Sequence, residues 1–346
     1  MSTLPEMMRA LVLTAPKTPL VVQEQPRPTP KPGEVLVRLA ASPINPSDLM
    51  TLEGEYGIAA TPPLIPGLEG AGIVVEAGPG MLGRYLIGKR VSCASAAGGM
   101  WAEYITAPAS QCVPLPADVS LGAGAMSAVN PLTAIALVGE ARRRGHWAMI
   151  STGAGGQLGR MIRKRAREKG VKVINIVRRD AQVDALKAEG AKFVLNETSD
   201  SFDADLADLC KQLRCRFAVD AVGGTMTYRL LEALRPRAEI LLYGALAQKA
   251  ISAHPGTMIF KEAVIEGFWL SKWLPRKPLP LLMLTVREAT KALSGGFAES
   301  EVARIVPLED APSAPVAYAA DMSAGKTLIR LSEADLGVTP SAAAPR

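Results

Sequence analysis

The run GAGGQLG, residues 153–159, lies between two short apolar segments, 147–151 and 171–177, and restricts the fold of the chain more than any other stretch. Leu158, Met161, Ile162 and Ala166 follow the glycines at helical spacing, and the second apolar segment is rich in β-branched residues. The order is strand, tight turn, helix, strand: a βαβ unit. Gly153, Gly156 and Gly159 are spaced G-x-x-G-x-x-G, a variant of the commoner G-x-G-x-x-G. Such glycines let a strand turn sharply into a helix. They also leave room for a pyrophosphate at the helix N-terminus, where unpaired N–H groups and the helix dipole favour an anion. An ordinary turn would use the same residues, and it is the flanking strands that favour dinucleotide binding. Gly153, Gly155, Gly156, Gln157 and Leu158 are therefore candidate phosphate-loop residues.

The end of the second strand selects among dinucleotides. An NAD site places an acidic residue there to accept hydrogen bonds from the ribose hydroxyls. This chain has Arg178 and Arg179, followed by Asp180. A guanidinium suits a 2′-phosphate and a carboxylate repels one, so NADPH is the expected cofactor. Two solvated loop arginines are the plainer alternative. Downstream, AKFVLNE, RFAVDAVGG and EILLYGALA read as short strands, with amphipathic helices at 201–213 and 226–234 between them. That alternation predicts an α/β fold with a doubly wound parallel sheet. Ligands bind beyond the carboxyl ends of such strands, which makes Tyr243, Gly244, Ala245 and Leu246 cofactor-facing candidates, with core packing the alternative for Tyr243.

The region before the glycine run is different. Runs such as MRALVLT, PLVVQEQ and GEVLVRLAAS are short, β-prone and separated by proline and glycine turns. Six or more strands before any long helix predict a β-rich, barrel-like first domain. The 346 residues suffice for two domains. The formal net charge of +6 is concentrated at 142–144 and 160–169, read as a solvated helix face opposite Leu158, Met161 and Ile162. No aromatic residues are interleaved with these charges, so nucleic acid is not an expected partner. The four cysteines have neither metal-ligand spacing nor the density of a disulfide scaffold, and there are two histidines. No run approaches the roughly 20 apolar residues of a membrane span, and no signal pattern opens the chain, so the cytoplasm is the expected compartment.

Residues 44–72, INPSDLMTLEGEYG followed by PPLIPGLEGAG, resemble the opening of the zinc-independent branch of the medium-chain dehydrogenase/reductase superfamily. Zinc enzymes of that superfamily carry a cysteine near Asn45 and a G-H-E run. Here the run is Gly67, Leu68, Glu69, so neither zinc nor any other metal is expected. The nearest resemblance is to mitochondrial-type trans-2-enoyl thioester reductases, with quinone oxidoreductases next. It implies a GroES-like catalytic domain over 1–127 and 271–331, a Rossmann domain over 128–270 and a disordered tail over 332–346. The G-x-Y-G run 54–57 makes Tyr56 the catalytic donor to a carbonyl oxygen that gains charge during hydride addition. A surface turn tyrosine is the alternative.

The same resemblance assigns cofactor contacts to Asn45, to Asn130 and Thr133 in the V-N-P-x-T-A run, and to Phe268, Trp269 and Leu270 in IFKEAVIEGFWLSKW. Lys326 falls near the family's last cofactor lysine, one position out of register. Asn130 could equally cap a helix, and the IFK segment alone reads as a buried strand with two packing tryptophans. The implied activity is NADPH-dependent reduction of a conjugated carbon–carbon double bond, with a trans-2-enoyl thioester as the leading substrate. An NADPH:quinone or alkenal oxidoreductase and a non-catalytic NADPH-binding protein are the alternatives. A homodimer is the family expectation.

Overall fold

The computed structural model describes residues 4–57, 61–294 and 296–341. Seven strands come first: β1 (Met7–Val12), β2 (Val21–Pro26), β3 (Glu34–Pro43), β4 (Glu69–Ala77), β5 (Arg90–Ala94), β6 (Tyr104–Pro108) and β7 (Val113–Pro114). Six follow at regular spacing: β8 (Ala148–Ser151), β9 (Lys172–Val177), β10 (Phe193–Asn196), β11 (Phe217–Asp220), β12 (Glu239–Leu242) and β13 (Val264–Gly267). Two close the chain, β14 (Val302–Pro307) and β15 (Lys326–Arg330). The helices are α1 (Pro46–Glu53), α2 (Met81–Leu86), α3 (Leu121–Ala125), α4 (Val129–Arg143), α5 (Gln157–Glu168), α6 (Asp180–Ala188), α7 (Phe202–Gln212), α8 (Thr225–Ala233), α9 (Pro255–Phe260), α10 (Leu270–Trp273), α11 (Leu279–Lys291) and α12 (Ala314–Ala320).

The chain divides into two compact units, Met1–Asn130 with Val286–Arg346, and Pro131–Thr285. The first is built on a sheet of order β14-β15-β3-β4-β5-β7, with β6 pairing β3, beside the β1-β2 hairpin. Alternation along β3 and β4 buries Val35, Val37, Leu39 and Val74 around Trp101, which is wholly enclosed. A Cβ at Gly67 would stand 2.4 Å from that indole, and Gly67 has φ +93°, so glycine is required at this turn.

The second unit is a parallel sheet of order β10-β9-β8-β11-β12-β13, the doubly wound arrangement expected from alternating strands and helices. Its core includes Ile150, Ile174, Ile176, Phe202, Leu230 and Ile240. A Cβ on Gly159 would lie 2.5 Å from the Ala154 carbonyl oxygen. The third glycine of the loop therefore lets α5 pack against its own entry turn.

Four features differ from the sequence reading. The 259–273 segment is a turn of helix, an edge strand and a second short helix rather than one buried strand. Ile259 and Phe260 are exposed, and the adjacent Lys261 ammonium donates to the carbonyls of Leu231, Glu232 and Leu234, at the end of α8, at 2.8, 2.5 and 2.9 Å. Segment 271–285 clusters with the second unit, where the Trp273 indole donates to Glu140. The basic helix α5 is partly withdrawn from water: Arg160 and Arg163 bind Glu189, and Arg165 is buried against Glu168. Finally, residues 332–341 are not a free tail. Leu336 is buried beside Leu121 and Ala125, and its carbonyl accepts the Gly122 N–H at 2.8 Å; residues 342–346 lie outside the described residues. Leu336→Ala is expected to lower stability to urea by about 2–5 kcal/mol, the range for truncating a buried leucine; a surface tail would show no change.

Candidate active site

In the first unit the chemistry-bearing side chains meet in the interior. Glu69, at the start of β4, is 1% exposed. Its Oε2 accepts the backbone N–H groups of Ala128 and Val129 at 3.0 and 2.8 Å, and its Oε1 accepts Asn45 Nδ2 at 3.0 Å. Glu69 thus caps α4 with a full negative charge where the helix dipole is positive. Asn130 lies one residue inside the helix and is not its cap. On the other face of Asn45, Oδ1 accepts the Lys326 ammonium, which β15 carries into the same interior. Asp48, in the first turn of α1, accepts the Asn45 N–H at 2.7 Å.

Burial governs the protonation of this cluster. It pushes Asp48 up to about 7, with the Glu69 charge adding to the effect and Lys326 opposing it. Glu69 is also raised by burial, against the pull of Lys326 and of its three donors. Lys326 is lowered by burial, while Glu69 and Asp48 resist that change. Two buried carboxyls share one ammonium, and burial favours the protonated form of the carboxyls. Among the described residues no group of three or more His, Cys, Asp or Glu could hold a metal. An amide and an ammonium beside Glu69 are a poor donor set for zinc.

Tyr56 lies beyond α1 on the same unit. The helix ends at Gly54 in the left-handed region, φ +76°, and the Tyr56 N–H returns to the Met50 carbonyl at 3.2 Å. This turn holds the phenol half-buried.

The second unit presents its candidates at the carboxyl ends of the strands. Gly153, with φ +60°, follows β8, and α5 opens after Gly156 with no side-chain cap. A helix N-terminus of this kind carries the positive end of the helix dipole. Gly155 and Gly156 are half-exposed, Gln157 is buried and Leu158 is half-buried. Arg178 and Arg179 are exposed at the end of β9. Asp180 begins α6 and accepts Asn196 Nδ2 at 2.8 Å, so its carboxylate is engaged within the unit.

Tyr243 and Gly244 are half-buried, Ala245 and Leu246 exposed. The Tyr243 and Leu246 N–H groups bind the Asp220 and Ala221 carbonyls at 2.9 and 3.0 Å. Phe268, Trp269 and Leu270 follow the edge strand β13. Asn45, Asn130, Thr133 and Lys326, in contrast, are all buried. The structure brings Asn45 and Lys326 together, but in a core and not on a surface.

Sequence reasoning missed Asp220. Its buried carboxylate accepts Thr152 and Thr227 hydroxyls, each at 2.8 Å, and the Val222 and Gly223 N–H groups at 2.9 and 3.2 Å. Thr152 in turn accepts the Ala221 N–H at 2.8 Å. These bonds lace the glycine loop to the end of β11. The local signal was an acidic residue closing an apolar strand, FAVD.

Two family descriptions match the chain: the alcohol dehydrogenase GroES-like domain over residues 31–117, and zinc-binding dehydrogenase over residues 158–284. The mitochondrial enoyl-[acyl-carrier-protein] reductase of Caenorhabditis elegans is 30% identical over 252 residues, covering 70% of this chain and 71% of that protein. The chain belongs to the medium-chain dehydrogenase/reductase superfamily. The enzyme of the same description from Bos taurus is 31% identical over 247 residues, 70% of this chain, which spans 66% of that protein's length. Among solved structures, a Mesorhizobium loti protein assigned as an NADPH:quinone reductase superposes with a TM-score of 0.88 at 36% identity, over 95% of this chain and 99% of its own. A mycobacterial protein solved with NADPH gives 0.81 at 26% identity, over 93% and 99%. Among the described residues no helix is long and apolar enough to cross a membrane.

The protonation of Asp48 is open to measurement. A carboxyl at 3.8 in the unfolded chain and about 7 in the fold stabilises most below pH 4. That contribution is lost as pH rises towards 7, by about 1.4 kcal/mol per pH unit. Asp48→Asn is therefore expected to flatten the stability profile between about pH 4 and pH 7 relative to the parent, read by urea unfolding; parallel profiles would place the Asp48 proton elsewhere.

Proposed function

We propose that this medium-chain oxidoreductase uses NADPH to reduce a carbon–carbon double bond conjugated to a carbonyl, with a trans-2-enoyl thioester as substrate. The observation that carries the substrate reading is Tyr56, a half-buried phenol on a turn set by Gly54. The curated enoyl reductases that match most of this chain support it. The cofactor reading is supported by the exposed arginine pair at the end of β9, with the neighbouring Asp180 engaged by Asn196.

NADPH, when bound, supplies the hydride. Arg178 and Arg179 hold the 2′-phosphate, for which a guanidinium fork is suited in shape and charge. The N-terminus of α5, with its positive dipole end, takes the pyrophosphate, and the Thr152–Asp220 bond holds the entry to the glycine loop. Backbone at 268–270 meets the nicotinamide end. Hydride addition at the β-carbon builds negative charge on the thioester oxygen, and the Tyr56 O–H donates to it. Asn45 and Lys326 act from the interior, by fixing the α1 entry that leads to Tyr56.

A second reading, reduction of a quinone, is favoured by the 36% identity to the Mesorhizobium loti protein over nearly the whole chain. A quinone is also a conjugated acceptor, but its reduction has no comparable need for Tyr56. The edge of β13 that pairs with no strand among the described residues, with Val264 exposed, is where a homodimer would extend the sheet.

NADPH oxidation followed with crotonyl-coenzyme A, longer trans-2-enoyl thioesters and a simple quinone, with NADH as control, separates these readings. The expected result is faster turnover of thioesters than of quinone and a preference for NADPH. Reaction with quinone alone would transfer the assignment to the second reading. Cofactor binding without oxidation across the panel would favour a non-catalytic protein. Tyr56→Phe is expected to lower kcat by about 10² with NADPH affinity unchanged, the effect of losing one oxyanion donor; an unchanged kcat would remove Tyr56 from the mechanism.

A further inference from the structure

We propose that Glu140, in the last turn of α4, and Arg144, the residue that follows its end, are positioning residues that set the backbone at 268–270 for the nicotinamide end of the cofactor. The inference rests on the reading above that this segment meets the nicotinamide. Arg144 grips the N-terminal side of the segment. Its Nη2 donates to Glu266 Oε2 and its Nη1 to Glu239 Oε2, both at 2.8 Å. Glu266 lies in β13, two residues before Phe268, and Glu239 opens β12.

Glu140 grips the C-terminal side. Its Oε1 accepts the Trp273 indole N–H at 2.9 Å and lies 3.8 Å from the Lys277 ammonium. That ammonium stands 4.0 Å above the Trp273 ring. The two clamping residues are themselves joined, Arg144 Nε to Glu140 Oε2 at 3.4 Å. The Glu140 side chain is 6% exposed and that of Arg144 17%, so the Glu140 contacts are shielded from water and stronger than surface pairs, while Glu266 is 49% exposed and its pair with Arg144 is half in water.

The topology explains why such a clamp is needed. β13 is an edge strand, paired to β12 alone among the described residues. Its continuation has sheet support on one side, through the Phe268 N–H to the Leu242 carbonyl at 2.8 Å. Glu140 and Arg144 supply fixings from the helix layer, on both sides of residues 268–270, through one rigid turn.

The test uses the full chain and two ligands: NADPH, and 2′-phospho-ADP-ribose, which lacks the nicotinamide. Dissociation constants come from calorimetry, and the fluorescence of bound reduced nicotinamide reports its surroundings. In Glu140→Ala and Trp273→Phe the fluorescence enhancement is expected to fall by about half or more. The Kd for NADPH should rise about tenfold, the order for losing a hydrogen bond to a charged acceptor, with the Kd for 2′-phospho-ADP-ribose within about twofold of the parent. Glu140→Gln, which keeps an acceptor for Trp273, should recover most of the loss.

Should Glu140→Ala fail to fold, Trp273→Phe decides the same question, since it removes the indole N–H and keeps an aromatic ring, though a smaller one. Variants that retain the parental nicotinamide signal, or that lose both ligands equally, overturn the proposal and leave the reading of 268–270 intact. Absence of that signal in the parent protein overturns the reading itself, and the proposal with it.

Discussion

The carboxylate of Glu69 has almost no access to water, and three donors converge on it from two segments distant in sequence. A buried charge costs several kcal/mol unless paired and hydrogen-bonded. Glu69 therefore requires the α4 N-terminus on one side and the Asn45 amide on the other. Asn45 in turn requires Lys326 from the closing strand. Through these contacts the position of β4 sets the entry of α1, the start of α4 and the register of β15. Removing any member would leave a buried polar group without its partner, so the cluster behaves as a unit.

That unit accounts for the placement of Tyr56. The phenol is eight residues beyond Asp48, at the far end of a helix whose first turn is held by Asp48 and Asn45. A short helix of this kind has little stability of its own. Its orientation comes from the interior cluster at one end and from the Gly54 cap at the other. The second unit solves a parallel problem with Asp220, whose carboxylate ties Thr152, at the entry to the glycine loop, to the end of β11 and, through Thr227, to α8. In both units a buried carboxylate holds the segments that lead to candidates nearer the surface. Family membership is consistent with this division, since loops vary in chemistry while their supports keep the fold.

Much of the fold was legible locally. Two periodicities, two for the strands and 3.6 for the helices, are properties of consecutive residues, and they disclosed both sheets and the βαβ unit at 148–177. Glycine spacing at 153–159 was readable because a turn's conformational demand is local. The basic helix α5 was misread for the complementary reason. Its arginines recur on a polar face, but Glu189, the partner that draws Arg160 and Arg163 inward, belongs to the turn after α6. The IFK segment misled in the same way, because Lys261 finds its acceptors about 30 residues upstream.

The sequence by itself determined the βαβ unit, the strand-rich first region, the arginine pair at the end of β9 and the G-x-Y-G turn that presents Tyr56. Each is written in the propensity, spacing and charge of neighbouring residues. Only the tertiary structure decided that Asn45 and Lys326, 281 residues apart, share one hydrogen bond, that Glu69 and not Asn130 caps α4, and that 332–341 closes a core. Those outcomes depend on which buried charges find partners, and a partner distant in sequence leaves no periodic trace.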